Sequence, residues 1–139
     1  MEELSAIEID DFLRSQRRGR LGCHDDGLTY VVPLMFVRED DCLYFHTIEG
    51  QKVNMMRRNP SVCFEVDELW ENGSWISVIA LGTFEELLGD DARRALGVLG
   101  HEPPAGERDH EEPRRGQGKV PVTFRVRVLK MTGRKIVRP

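Results

Sequence analysis

Cysteine is scarce in this chain, acidic residues are missing from its last stretch, and no long apolar run occurs. Each absence excludes something. The three cysteines among 139 residues, Cys23, Cys42 and Cys63, are widely spread and form no C-x-x-C pair. A disulfide framework is thereby excluded, and so is a ready pair of thiolates for one metal ion. Each cysteine lies in an apolar stretch, where a buried reduced thiol is expected. His24 follows Cys23 directly, but neighbours in a strand point to opposite faces and do not chelate one ion. No apolar run reaches the ~18 residues that a membrane-crossing helix needs. The opening "MEELSAIEIDD" lacks the basic, then apolar, pattern of a secretory signal, so the cytoplasm is the expected location. No internal repeat is visible.

What is present suits one globular unit. A chain of 139 residues is expected to form a single domain and can bury roughly two thirds of its unfolded surface. The net charge is −4, but its sign is unevenly spread. Residues 113–139 hold Arg114, Arg115, Lys119, Arg125, Arg127, Lys130, Arg134, Lys135 and Arg138, with no Asp or Glu.

Along the chain, "SAIE" at Ser5 to Glu8 matches a capping box, and Ile9, Phe12 and Leu13 recur at helical spacing, predicting a short N-terminal helix. In "RLGCHDDGLTYVVPLMFV" the Asp26-Gly27 pair is a two-residue hairpin turn between β-rich runs. Pro33 has no N–H to give a ladder, so its strand is expected at a sheet edge or at a bulge. A second turn, "REDD", leads to the strand "CLYFHT"; "QKVNMMRRN" then reads as a helix stopped by Pro60, and "SVCFEVD" as the next strand. "WISVIALGTFEEL" is a long strand with Gly82 as a bulge or close-approach point. In "DDARRALGVLG", Ala92, Ala95, Leu96 and Leu99 share a helical face, with Asp90 placed to cap and Gly100 to terminate. Residues 101–118 have no periodicity and much Pro, Gly and charge, and read as a mobile surface loop able to act as a lid. Val122, Phe124, Val126 and Val128 alternate with Thr123, Arg125 and Arg127, as in a half-exposed strand. About six strands, joined mostly by hairpins and without regular β–α alternation, predict a small antiparallel barrel rather than a doubly wound parallel sheet.

The segment "YFHTIEGQKVNMMRRNP", residues 44–60, holds the candidate site. A strand, then Gly50, then a helix beginning near Gln51 presents first-turn N–H groups that lack intrahelical partners and carry the positive end of the helix dipole. Lys52 adds a full charge there, and His46 and Thr47 at the strand end offer further donors. The spacing H-T-x-x-G-x-K fits a phosphate clamp, and it fits equally a plain strand-to-helix turn with an exposed lysine. A helix N-terminus contributes about 0.3–2 kcal/mol to an anion, whereas micromolar binding of a phosphorylated cofactor takes about 8 kcal/mol. Most of the affinity then has to come from an apolar surface that accepts a flat ring system. "VVPLMF", residues 31–36, and "WISV", residues 75–78, are the two candidates.

Taken in order, "RLGC...GLTYVVPLMFV...LYFHTIEGQK...NPSVCFEVD...WISVIALGTFEEL" resembles the flavin-binding split-barrel superfamily related to pyridoxamine 5'-phosphate oxidase, and within it the nitroimidazole-resistance (Nim-like) branch. The likeness covers residues 8–88 and rests on order and spacing rather than on one motif. It implies a mainly β fold: a six-stranded antiparallel split barrel of Greek-key type with short flanking helices. Residues 1–139 would form a single FMN-binding domain, and two chains a homodimer with two FMN molecules at the subunit interface. Val32, Pro33 and Leu34 would run along the isoalloxazine edge, His46 and Thr47 would lie near the ribityl chain and ring, and Gln51 and Lys52 would hold the phosphate. Ser77 and Val78, which follow the family's W-x-S-V pattern, would contribute near the flavin. The family often has Arg where this chain has Gln51, which removes one ionic phosphate contact. The tail has neither the tryptophan nor the histidine of the C-terminal substrate segment in the longer true pyridoxamine 5'-phosphate oxidases, so vitamin B6 oxidation is not expected.

With FMN bound, the resemblance implies a reductase that takes electrons from NAD(P)H and passes them, or hydride, to a small organic acceptor. His46 is the acid–base candidate beside the ring, since an imidazole exchanges a proton near neutrality. Orientation of the flavin or backbone through one hydrogen bond is its alternative role. Two other classes stay open. One is a non-catalytic flavin-, deazaflavin- or haem-binding module on the same barrel. The other is nucleic-acid binding through the basic C-terminal strand, against which Arg125 and Arg127 share one alternating face with no aromatic residue interleaved for base stacking. Trp70, Trp75, Met35, Met55 and Met56 are expected to serve packing, and His101 and His110 to be solvated.

Overall fold

The structure, a computed structural model, describes residues 1–100 and 120–139; the loop expected at 101–118 lies outside the described residues. The elements in chain order are β1 (Glu2–Glu3), α1 (Ala6–Arg14), β2 (Arg18–Asp25), β3 (Leu28–Met35), β4 (Val37–Glu39), β5 (Cys42–Ile48), α2 (Gln51–Arg58), β6 (Ser61–Leu69), β7 (Trp75–Leu87), α3 (Gly89–Val98) and β8 (Pro121–Ile136). Every strand pair is antiparallel, and the sheet runs β3-β2-β6-β7-β8-β5-β4, with β1 added on β8. Since β6, β7 and β8 are consecutive neighbours and β5 lies beyond β8, the order is a Greek key. β3 and β5 approach each other without a ladder between them among the described residues, so the sheet curls into a barrel that stays split there.

The six long strands are the six that the sequence predicts, and β1 and β4 are additional. They hold two and three residues, too few for alternation to register. Opposite charges place β1, with Glu2 across from Lys135 and Glu3 across from Arg134. A tight turn places β4: Glu39 pairs with Cys42 around Asp40, whose φ is +51°. At the predicted hairpin Asp25 pairs with Leu28, and Asp26 and Gly27 both take positive φ, +49° and +79°, which matches the right-handed twist of the flanking strands. Pro33 lies on β3, an edge strand, as its missing N–H requires. The β7–β8 register shifts between Leu81 and Gly82, where an added Cβ would sit 2.4 Å from the Arg127 carbonyl oxygen.

In α1 the capping box forms, with Glu8 N–H donating to Ser5 Oγ at 3.2 Å and Ser5 N–H to Glu8 Oε1 at 2.9 Å. Ile9, Phe12 and Leu13 are buried, as their spacing predicts. In α3 the expectation that Asp90 caps is corrected. Gly89, at φ +57°, already belongs to the helix; Leu88 takes the cap position without a side-chain hydrogen bond, and Asp90 falls in the first turn. The barrel interior is a chain of phenylalanines: Phe36 and Phe45 each meet Phe64 edge-on at 5.0 Å, Phe45 stacks on Phe124 at 4.7 Å, and Phe84 touches Phe124 at 5.1 Å. Cys23 and Cys42 are buried, but Cys63 is only half-buried, because it faces outward on β6.

Part of the charge asymmetry is met by ion pairs among the described residues. Lys135 on β8 reaches Glu8 at 2.8 Å, while Arg125 and Arg127 both pair with Glu85, at 2.7 and 3.2 Å. These three basic residues of β8 are thus set against carboxylates of α1 and β7. No helix among the described residues is long and apolar enough to cross a membrane, and no group of three or more His, Cys, Asp or Glu among them is placed to hold a metal ion.

Candidate functional site

The site begins at the head of α2. Gly50 is its N-cap and supplies no side-chain hydrogen bond. The first bond of the helical ladder runs from Asn54 N–H to the Gly50 carbonyl at 3.0 Å, so the amides of Gln51, Lys52 and Val53 precede it. Lys52 is only 5% exposed, which excludes the reading of it as a solvated surface charge. Helix α2 packs on β2, bringing Lys52 near Cys23. Burial pushes the Cys23 thiol up, the nearby Cys63 thiol adds to this, and Lys52 works against both. Gln51, from the same turn, is exposed.

Strand alternation then sorts the remaining candidates by face. On β5, Leu43, Phe45 and Thr47 point into the barrel, and Thr47 is 1% exposed. His46 points to the other face, where its Nδ1 shares a hydrogen bond of 2.9 Å with Thr123 Oγ1. Thr123 is therefore buried, not solvated as its place in an alternating strand suggests. On β3, Val32 and Leu34 point inward while Pro33 is exposed. Val32, Leu34, Thr47 and Lys52 thus lie on elements that meet, β3 with β5 and α2 with β2. Val78 is a core residue, able to offer a ligand only its backbone. Ser77 faces outward, like Pro33. These two share a face but are separated by β2 and β6, a span of about 14 Å at the usual strand spacing.

Ser77 lines an outward groove of about 300 Å³ over β7 and β8, together with Trp75, Ile79, Thr132 and Arg134. Beside it on the same face, Arg20 Nη1 reaches Glu65 Oε1 at 3.2 Å and Asp67 Oδ2 at 2.9 Å. The Glu65 carboxyl is pushed up to about 7, first by burial and then by hydrogen bonding to Asp67, with Arg20 opposing. Sequence reasoning missed Thr132, Arg134 and this cluster. Only the register that sets Arg20 opposite Glu65 and Ser77 opposite Arg134 assembles them.

An antiparallel split barrel with a buried lysine in the first turn of a helix packed on β2 defines the class. The family described as pyridoxamine 5'-phosphate oxidase matches residues 5–135, and this chain belongs to it. A FAD-binding protein from Mesorhizobium loti is 34% identical, with 98% of each chain covered and a TM-score of 0.82. A candidate 5-nitroimidazole antibiotic resistance protein from Bacteroides thetaiotaomicron shares the fold at a TM-score of 0.72 and 22% identity, over 95% of this chain and 86% of that one. An uncharacterised Rhizobium meliloti protein is 37% identical over 84 residues, 60% of this chain, and the match spans 56% of that curated relative's length.

Proposed function

We propose that this protein binds FMN as a homodimer and acts as an oxidoreductase, passing electrons or hydride from NAD(P)H through the flavin to a small organic acceptor. The observation that carries this reading is the burial of Lys52 at the head of α2. A lysine buried in the first turn of a helix suits a phosphate, which its charge and the first-turn amides can hold together. Thr47 adds a hydroxyl donor inside the barrel, and Gln51 a neutral one from the turn. The half-buried Val32 side chain and the backbone of the buried Leu34 give the strand edge that a flat ring needs. Family membership and the 34% identity to a FAD-binding protein support a flavin. One lysine charge suits the single phosphate of FMN.

Ser77 supports the dimer. A ligand gripped by Lys52 and touched by Ser77 has to span two chains, because within one chain Ser77 faces away from the barrel interior. The flavin, when bound, supplies the redox chemistry. The chain's own residues bind the phosphate and shield the ring from water; His46, on the opposite face of β5 from Thr47, would hold or move a proton only for a ligand that reaches that face. Thr123 fixes that imidazole at Nδ1.

The test is the absorption spectrum of the purified protein after incubation with FMN or FAD and removal of the excess. Bands at about 370 and about 450 nm are expected, with extracted flavin that co-migrates with FMN. Lys52→Met should keep the fold by circular dichroism and weaken FMN binding at least about tenfold, since a charge-assisted contact contributes about 1.5–3 kcal/mol. Extracted FAD would correct the cofactor, and a band at about 400 nm would redirect the reading to haem. A colourless protein that retains neither flavin overturns the proposal. Anaerobic bleaching by NADH or NADPH tests the reductase, and failure of both refutes that part.

A further inference from the structure

We infer that two copies of this chain associate through the outward face of β3, β2, β6 and β7, about a two-fold axis parallel to the strands and lying between β2 and β6; this rests on the homodimer proposed above. Strand register arranges the outward side chains of this face in rows. One row runs Val31, Gly22, Cys63, Leu81, and the next Pro33, Arg20, Glu65, Ile79. A third, with the β2–β6 register carried two residues further, runs Met35, Arg18, Asp67, Ser77. Strand by strand the face is therefore apolar on β3, basic on β2, acidic on β6 and mainly apolar on β7. Val31, Met35, Ile79 and Leu81 are 62%, 55%, 44% and 46% exposed, although β7 is the middle strand of the sheet order. Apolar side chains left in water across the centre of a sheet face mark an interaction surface.

This order of strands selects a second copy as the occupant. Half a turn about the axis keeps each row at its own level and exchanges β2 with β6 and β3 with β7. Two sheets stacked in this way, about 10 Å apart, set Arg18 and Arg20 of one copy against Asp67 and Glu65 of the other. Val31 then faces Leu81, and Pro33 faces Ile79. An axis across the strands would instead lay Arg20 on Arg20, which like-charge repulsion opposes. Within one chain Arg20 Nη1 already serves both Glu65 and Asp67, at 3.2 and 2.9 Å, while Arg18 makes no ion pair among the described residues. Arg18 is thus the cation that a second copy's Asp67 can take up. The apolar flanks supply affinity, and the charges fix the orientation. The same axis brings Ser77 of one copy over Met35 of the other, on the strand proposed to edge the ring. Because β3 is an edge strand, the second sheet ends there, and the groove of Ser77, Thr132 and Arg134 keeps an open side. A rival axis directly over β7 also sets acid against base, Asp67 against Arg134. It leaves Val31 and Met35 in water and closes Ser77 against its own copy.

Sedimentation equilibrium of the purified chain at fixed pH and ionic strength tests this, with circular dichroism to check that each variant folds. The wild-type chain is expected to be a dimer. Arg18→Glu sets like charges across the axis and should raise the dissociation constant about tenfold or more. Asp67→Arg should do the same, and the two together should return it to within about threefold of the wild type, because each again meets its opposite. Leu81→Lys, which breaks no ion pair, should also weaken the dimer. A double variant as weak as the singles overturns the pairing of Arg18 with Asp67. A dimer that none of these changes weakens, or one that Arg134→Glu weakens and Arg18→Glu does not, overturns the inference and leaves the proposed dimer standing. A wild-type monomer overturns both, and the flavin spectrum is read independently of either.

Discussion

At Lys52 the sequence allows a solvated surface charge or a phosphate contact, and burial removes the first. Spacing alone cannot say whether a lysine one residue into a helix faces water, because that depends on where α2 docks on β2. His46 and Thr123 teach the same lesson from the other side. Thr123 looks solvated by period-two alternation, but β5 pairs it with His46 and α3 packs near both strands, so its hydroxyl becomes a buried hydrogen-bond partner. Thr123→Val keeps the shape and removes that bond, and urea denaturation should show a loss of about 1 kcal/mol. If His46 moves a proton during turnover, the same change should shift the pH profile of NAD(P)H oxidation; an unchanged profile would assign the pair a structural role only.

Elements whose signals are local were legible in the sequence. The Asp26-Gly27 hairpin, the capping box of α1 and the stop of α2 before Pro60 each depend on a few adjacent residues, and each forms as read. Where an element depends on a distant partner, the sequence was silent: β1 exists because Lys135 and Arg134 lie opposite it. Gly82 falls between the two cases. Its position inside a strand announces a close approach, and the partner is the Arg127 carbonyl of β8. Gly82→Ala forces a methyl group into that contact and should lower the urea midpoint by an amount equivalent to about 1–3 kcal/mol. A midpoint equal to that of the wild type would mean that the bulge relaxes without cost.

For the molecule as a whole, acidic ties hold the helices on the barrel. Lys135 pulls Glu8 down to about 2, Arg14 and then Arg38 lower Asp10, Arg57 lowers Glu86, and Arg127 and then Arg125 lower Glu85. These pairs connect α1 to β8 and β4, α2 to β7, and β7 to β8. A carboxyl held below its ordinary value contributes stability that is present above that value and is lost as pH falls through the folded one. Urea resistance should therefore decline between about pH 4.5 and about pH 2. Glu8→Gln keeps the capping box, where glutamine also serves, and should make that decline shallower; an unaltered slope would show that Glu8 contributes nothing. None of these ties is visible in composition, which shows only an acidic beginning and a basic end. The likeness to a known barrel foretold the strand set, but the outward cluster of Arg20, Glu65 and Asp67 follows from register alone.

Strand β8 joins β7 to β5 and also receives β1. Among the described residues no other ladder connects the β3-β2-β6-β7 half of the sheet to the β5-β4 half. The ribosome makes β8 after every other strand of this sheet. Until residues 121–136 have left the exit tunnel, the nascent chain holds two part-sheets whose facing edges, β7 and β5, are open to mispairing with other chains. Commitment to the barrel is thus deferred until β8 has emerged, and the interval before it is when a chaperone would matter most.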